Sequence, residues 1–174
     1  GFFGFQSGLF MSADDCSLGL QLGGFALVTN GELIGMQFTG LINGVAGQVT
    51  GAQVSSALNM AGGRIHGAQI TGLFNSSRGV RGTQIGSFNV SRGRVSGAQV
   101  GLLNISQSRL VGLQVGGALN LAGGGQGAQI GLVNVSTAEF RGTQIGFVNV
   151  SRGPTSSIGF INVNRNSSFS AQVT

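Results

Sequence analysis

The chain has 174 residues, the length of one ordinary domain, with glycine at 34 positions, nine basic and four acidic residues and a formal net charge of +5. An average globular chain is about a quarter charged, so 7% charge with positive mean hydropathy excludes a disordered polyelectrolyte, while the abundant glycine excludes a helix bundle and the single proline excludes collagen. Cys16 and His66 each stand alone, which excludes an internal disulfide and a paired-histidine metal site, and no apolar run of about 18 residues offers a transmembrane helix.

From the N-terminus onward, glutamine recurs every 15 or 16 residues, at Gln6, Gln21, Gln37, Gln53, Gln69, Gln84, Gln99, Gln114, Gln129 and Gln144. A shorter step of 13 then puts Ser157 in the slot, and a step of 15 reaches Gln172. Residues 1–36 are diverged repeats. Phe2, Phe3, Phe5, Leu9 and Phe10 make this end apolar, and Ser12 and Leu27 stand where a second marker is expected. Asp14, Asp15 and Glu32 fall near Cys16. The carboxylates could bind a cation or act as an acid/base pair, but the expectation is solvated loop residues. Cys16 has acidic rather than basic neighbours and is expected to be structural.

Residues 37–174 are regular, and the whole of 1–174 reads as a single repeat domain. Asparagine follows the glutamine marker by five or six residues, at Asn43, Asn59, Asn75, Asn89, Asn104, Asn120, Asn134, Asn149 and Asn162. The consensus is G-[AT]-Q-[VI]-G-x-h-N-[VI]-S, then a variable stretch bearing glycine and arginine. Side chains alternate along a strand, so residues on either side of Gln share a face, as do those on either side of Asn. Each repeat therefore offers two short strands rich in the β-branched residues that suit them.

Neither strand buries enough surface alone, but stacked repeats would make continuous columns. The expected fold is all-β, a parallel β-solenoid of about eleven 15–16-residue coils, each rising by about 4.8 Å. Glycines flanking Gln are expected at corners, where positive φ or close approach is needed. Ile85, Val100, Val115, Ile130 and Ile145 are expected to form one buried column, and Phe88, Leu103, Leu119, Val133 and Val148 another. Gln69, Gln84, Gln99, Gln114, Gln129 and Gln144 are expected to stack as one amide ladder, and Asn75, Asn89, Asn104, Asn120, Asn134 and Asn149 as a second. Strict alternation points both ladders outward; a corner would allow either to turn inward and bond to backbone. The alternative fold is an antiparallel β-barrel. Without Tyr or Trp it would have no aromatic girdle, and antiparallel neighbours would not set like residues side by side.

All nine basic residues are arginine, each after an Asn unit and before the next Gln slot. Arg64, Arg78, Arg81, Arg92, Arg94, Arg109 and Arg141 form a candidate site for an anionic polysaccharide or other polyanion, with nucleic acid and lipid headgroups as further candidates; their plainer role is to keep a glycine-rich rod soluble. Nucleic acid is the weakest of these partners, because no Tyr or Trp is interleaved. His66 sits in a variable, mostly polar slot with no catalytic partner and is expected to be exposed. N-x-S sequons at Asn75, Asn89, Asn104, Asn134, Asn149 and Asn166 arise mainly because serine follows N-[VI] in the repeat.

The units Gly82-Thr83-Gln84-Ile85-Gly86 with Phe88-Asn89-Val90, and Gly127-Ala128-Gln129-Ile130-Gly131 with Val133-Asn134-Val135, resemble the G-x-Q-[IV]-G-x-x-N-[IV] repeats of bacterial surface-repeat proteins. That resemblance implies export to the cell surface and transfers no active site. The expected function is a structural, non-enzymatic rod, without cofactors, that self-associates through its ends into filaments. The runner-up is a binding module that uses the arginine-bearing face. Gln172 is expected to open a further coil.

Overall fold

The computed structural model describes residues 2–13, 15–165 and 170–172. Asp14, Asn166, Phe169 and Thr174 lie outside the described residues. The chain is an all-β parallel solenoid of about 11 turns. Each regular coil contributes a longer strand carrying Gln, then a corner, then a shorter strand carrying Asn, and a connection returns to the next coil. Leu33–Thr39, Val49–Ser55, Arg64–Thr71 and Gly79–Ile85 stack as one row. Ile42–Val45, Leu58–Ala61, Phe74–Ser77 and Phe88–Ser91 stack as the other. The strand Val95–Ile145 continues the solenoid through several coils and joins both rows. Through the regular coils like lies beside like: Gln69 pairs with Gln84, and Asn75 with Asn89. Parallel pairing of this kind is incompatible with the antiparallel barrel.

The direction of the side chains is the reverse of the expectation. Gln and Asn point inward and are fully buried from Gln37 to Asn149, whereas Ile85 and Ile130 are 41% and 39% exposed. Ile145 and Phe88 are exposed too, and Val100, Val115, Leu103, Leu119, Val133 and Val148 are half-buried. Both expected core columns therefore form the outer surface. The alternation itself is as read. Its sign flips because stacking satisfies the amides inside the coil, so burying them carries little desolvation penalty.

The apolar core lies four residues before Gln in most coils, with Ser17 and Gly125 as exceptions. Leu33, Val49, Ile65, Val80, Val95, Leu110 and Phe140 are all buried. They are joined by Val45, Ala61 and Ala122, each two residues after an Asn. Serine fills that second position in other coils, at Ser77, Ser91, Ser106, Ser136 and Ser151. The interior is narrow and largely polar.

One glycine position is demanded by stacking. Gly82 has a φ of 136°, and a Cβ there would collide with the carbonyl of Gly67 in the preceding coil. The same conformation recurs two residues before Gln from Gly19 to Gly142. The glycine two residues after Gln sits at the corner without positive φ. At Gly86 a Cβ would lie 2.8 Å from the Asn75 Nδ2, so this glycine makes room for the inward asparagine.

Both ends depart from the pattern. The register between Phe2–Ala13 and Ser17–Thr29 shifts between Gly8 and Phe10. Met11, not Ser12, consequently aligns with Leu27, which aligns with Asn43; the first corner is one residue shorter. At the other end, Ser170–Gln172 pairs antiparallel with Ile161–Asn164, and Gln172 lies opposite Asn162. The chain has turned back there, so Gln172 does not open a further parallel coil.

Candidate binding surface

The interior fixes the geometry of the surface. From Gln21 to Gln144, each Gln Nε2 donates to the Oε1 of the Gln one coil earlier, at 2.7 to 3.2 Å, and the run begins at Gln6. The Asn ladder runs the other way. Each Nδ2 from Asn43 to Asn149 donates to the Oδ1 of the Asn one coil later, at 2.8 to 3.1 Å. The second Asn proton goes to the backbone carbonyl just after the next coil's Gln, as in Asn89 to Val100 and Asn104 to Val115, both at 2.8 Å. Each asparagine thus ties the Asn row of one coil to the Gln row of the next. The sequons at Asn75, Asn89, Asn104, Asn134 and Asn149 lie within this ladder at zero exposure and are closed to glycosylation in the folded chain.

The ladders end where the sequence changes. Asn43 Oδ1 is buried without a partner because Leu27 replaces the amide that would donate to it. Gln144 Oε1 is also unpartnered because Ser157 takes the next Gln slot. The two orphan oxygens lie at opposite ends, as the opposed ladder directions require.

With the amides inside, the outer surface is apolar on two rows and the corner joining them. The corner carries Phe25, Leu41, Leu73, Leu102, Leu132, Phe147 and Phe160, each exposed and two residues before the Asn slot, with the smaller Ala57, Ser87 and Ala118 in the coils between them. Leu132 is 59% exposed. On one side of this ridge runs the column of Ile70, Ile85, Ile130, Ile145 and Ile158; on the other lie Ile42, Phe88 and Ile161. At both ends the ridge continues through stacked phenyl rings, Phe10 on Phe25 at 5.4 Å between centroids and Phe147 on Phe160 at 5.1 Å. The ridge was missed in reading the repeat. Its signal was present, because the position two before Asn is apolar in Gly-Leu-Leu-Asn, Gly-Leu-Val-Asn and Gly-Phe-Val-Asn.

The arginines are all exposed and lie away from the ridge. Arg78 and Arg92 occupy equivalent positions in adjacent coils, just after the Asn row, as do Arg152 and Arg165. Arg81 and Arg141 lie three residues before Gln, on the far margin of the Gln row. Arg64, Arg94 and Arg109 lie five residues before Gln, where the chain enters the Gln row. The expected single stripe is in fact three columns around the return side. Charge is uneven along them. Arg64, Arg78, Arg81, Arg92, Arg94 and Arg109 fall between Glu32 and Glu139 with no carboxylate among them. Arg141, by contrast, is held by Glu139 at 2.9 Å, and Glu139 also aligns with Arg152.

The remaining candidates are dispersed. Asp15 and Glu32 are exposed. Cys16 is exposed as a free thiol rather than packed. His66 is half-buried, aligned with Thr50 and Arg81 on the outer side of the Gln row. Among the described residues, no three metal-ligating side chains come together, and no helix is long and apolar enough to cross a membrane. Compared with protein-family models, curated proteins and solved structures, the chain matches none.

Proposed function

We propose that the protein is a non-enzymatic structural rod, exported to the cell surface, that self-associates through the ends of its solenoid. The observation that carries this reading is the strand edge at the first coil. Phe2–Ala13 pairs along one side with Ser17–Thr29, and among the described residues its other side carries no strand. A parallel strand edge of this kind is a template for another chain. Phe3, at 82% exposure, and Leu9 leave apolar surface around it. The body of the rod is closed by comparison, since every inner coil is paired on both sides.

Sedimentation velocity over a range of concentrations, with negative-stain microscopy, tests this reading. Growth into rods longer than one solenoid is expected, with Ser7→Lys on the terminal strand suppressing it by charge repulsion. A particle that stays monomeric at high concentration would overturn the reading. A second reading, binding of an anionic glycan, is favoured by the carboxylate-free run of arginines from Arg64 to Arg109. Retention on a heparin column that falls steeply with salt supports it.

A further inference from the structure

We infer that the apolar corner of the rod docks lengthwise on a lipid bilayer carrying anionic headgroups. The inference does not rest on end-to-end association. Four observations carry it.

The first is the distribution of polarity. Two amide ladders occupy much of the coil interior beside one apolar column, and the large exposed apolar side chains all lie on the Gln row, the Asn row or the corner between them. A continuous apolar surface of this extent on a folded chain marks an interaction site.

The second is backbone satisfaction. A surface that meets hydrocarbon must expose no unpaired N–H or C=O groups. Along the flanks, each coil bonds to the coils on either side. At the corner the backbone is paired as well: Leu102 N–H donates to the Ser87 carbonyl at 2.9 Å, and Gly86 N–H to the Val100 carbonyl at 3.0 Å. Among the described residues, unpaired strand edges are confined to the ends of the rod.

The third is shape. The apolar surface wraps around a convex corner with Leu73, Leu102 and Leu132 at its crest. Two such ridges from two copies would meet only along a line, whereas lipid chains conform to a ridge. The crest is Leu and Phe, which lack the polar tip that holds Tyr and Trp at headgroup level, so it suits the acyl side of the interface.

The fourth is charge. The return side carries the arginines, and the two margins of the apolar surface are lined by Arg81 and Arg141 on one side and Arg78, Arg92 and Arg152 on the other. Long basic side chains beside an apolar surface extend toward headgroups while their stems remain in the apolar layer. The carboxylate-free run and the net charge of +5 select anionic lipid. The rod lies flat rather than crossing, because a crossing would put arginine columns into hydrocarbon.

The test is flotation of the whole chain with vesicles of phosphatidylcholine alone or mixed with phosphatidylglycerol. Binding to the mixed vesicles is expected, weaker in high salt and weaker to phosphatidylcholine. The triple variant Leu73→Ser, Leu102→Ser, Leu132→Ser should keep the far-ultraviolet spectrum and melting temperature of the parent, because these side chains are exposed. It should lose vesicle partitioning by more than about tenfold. Arg78→Gln with Arg92→Gln should weaken the preference for anionic vesicles. If the triple variant proves unfolded, Leu102→Trp supplies a second readout. Its emission should shift to the blue on binding and be quenched by lipids brominated on the acyl chain. Failure of the parent chain to float, or an unquenched Leu102→Trp on bound protein, would overturn the inference. So would full binding by a folded triple variant. Loss of lateral association in the triple variant with no vesicle binding by the parent would mean that a second copy covers the corner, and would also overturn it.

Discussion

The first two coils and the central coils share one backbone path but differ inside and out. In the centre the Asn slot holds a buried amide bonded along the rod and across to the Gln row. In the first two coils the same slot holds Met11 and Leu27, and Leu27 is fully buried. Outside, the position three before Gln is Phe3, Leu18 and Ile34 at the N-terminal end but Thr50, His66 and Arg81 farther along. Apart from the one-residue shift between Gly8 and Phe10, the parallel register survives both changes. Coil stacking therefore depends on the backbone and on the glycine two before Gln, which both regions keep, and the asparagine ladder is a second layer of cohesion laid over that frame. Where the ladder stops, one buried oxygen is left unpaired, on Asn43.

The largest effect should come from the shared element. Gly97 has a φ of 139° and is pressed against Gly82 of the previous coil, whereas Gly4, with a φ of 111°, has nothing within 4 Å of its would-be Cβ. Gly97→Ala should lower unfolding stability by more than about 4 kcal/mol or prevent folding. Gly4→Ala carries only backbone strain and should lose about 1–2 kcal/mol. Equal losses in urea unfolding would show that stacking contact is not what requires the glycine.

Next in size is the ladder itself. Asn104→Leu removes the donor to Asn120 Oδ1 and to the Val115 carbonyl, and the acceptor for Asn89. It should lower stability by about 2–4 kcal/mol, since buried partners are stranded on both sides. The reverse change, Leu27→Asn, exchanges a buried apolar side chain for a donor to the orphaned Asn43 Oδ1. It should stay within about 1 kcal/mol of the parent. If denaturant midpoints move as far for Leu27→Asn as for Asn104→Leu, the two regions do not differ in the way described.

Smaller still is the effect of charge on the outer face. Ile130 sits at 39% exposure, so Ile130→Asp should reduce stability by no more than about 1 kcal/mol. Leu110→Asp, in the buried column, should be several-fold more damaging. A severe loss at Ile130 would restore the opposite orientation of the strands.

That last pair marks the boundary of what the sequence disclosed. Spacing of Gln and Asn established the strands, the parallel register and the solenoid, because a repeat of constant length places like residues together whatever they face. Alternation separated Gln from Ile but could not say which was inside. The rule that amides face water fails here because a column of identical amides supplies its own donors and acceptors, a property of the stack and not of any one repeat. A better signal was the constancy of the markers. Gln and Asn persist from coil to coil, while the residue after Asn varies among Met60, Ser76, Val90, Ile105 and Leu121. The true core column, Leu33 to Leu110 and again Phe140, lies four residues before Gln and so on the same face as Gln, which means that placing the amides outside hid it as well. The division of the arginines into three columns was not legible, because it depends on where the connection bends.

The central claim is that two amide ladders share the coil interior with one apolar column, and that Ile85 and Ile130 face out. Hydrogen exchange of the side-chain amides, followed by nuclear magnetic resonance, tests it most directly. The NH2 protons of Asn89, Asn104, Asn120, Gln99 and Gln114 should exchange as slowly as the backbone amides of the central strands, because all five side chains are buried and bonded. The methyl groups of Ile85 and Ile130 should at the same time be broadened by a paramagnetic agent in the solvent. Side-chain amides that exchange at the rate of free asparagine, with those methyl groups shielded, would contradict the account.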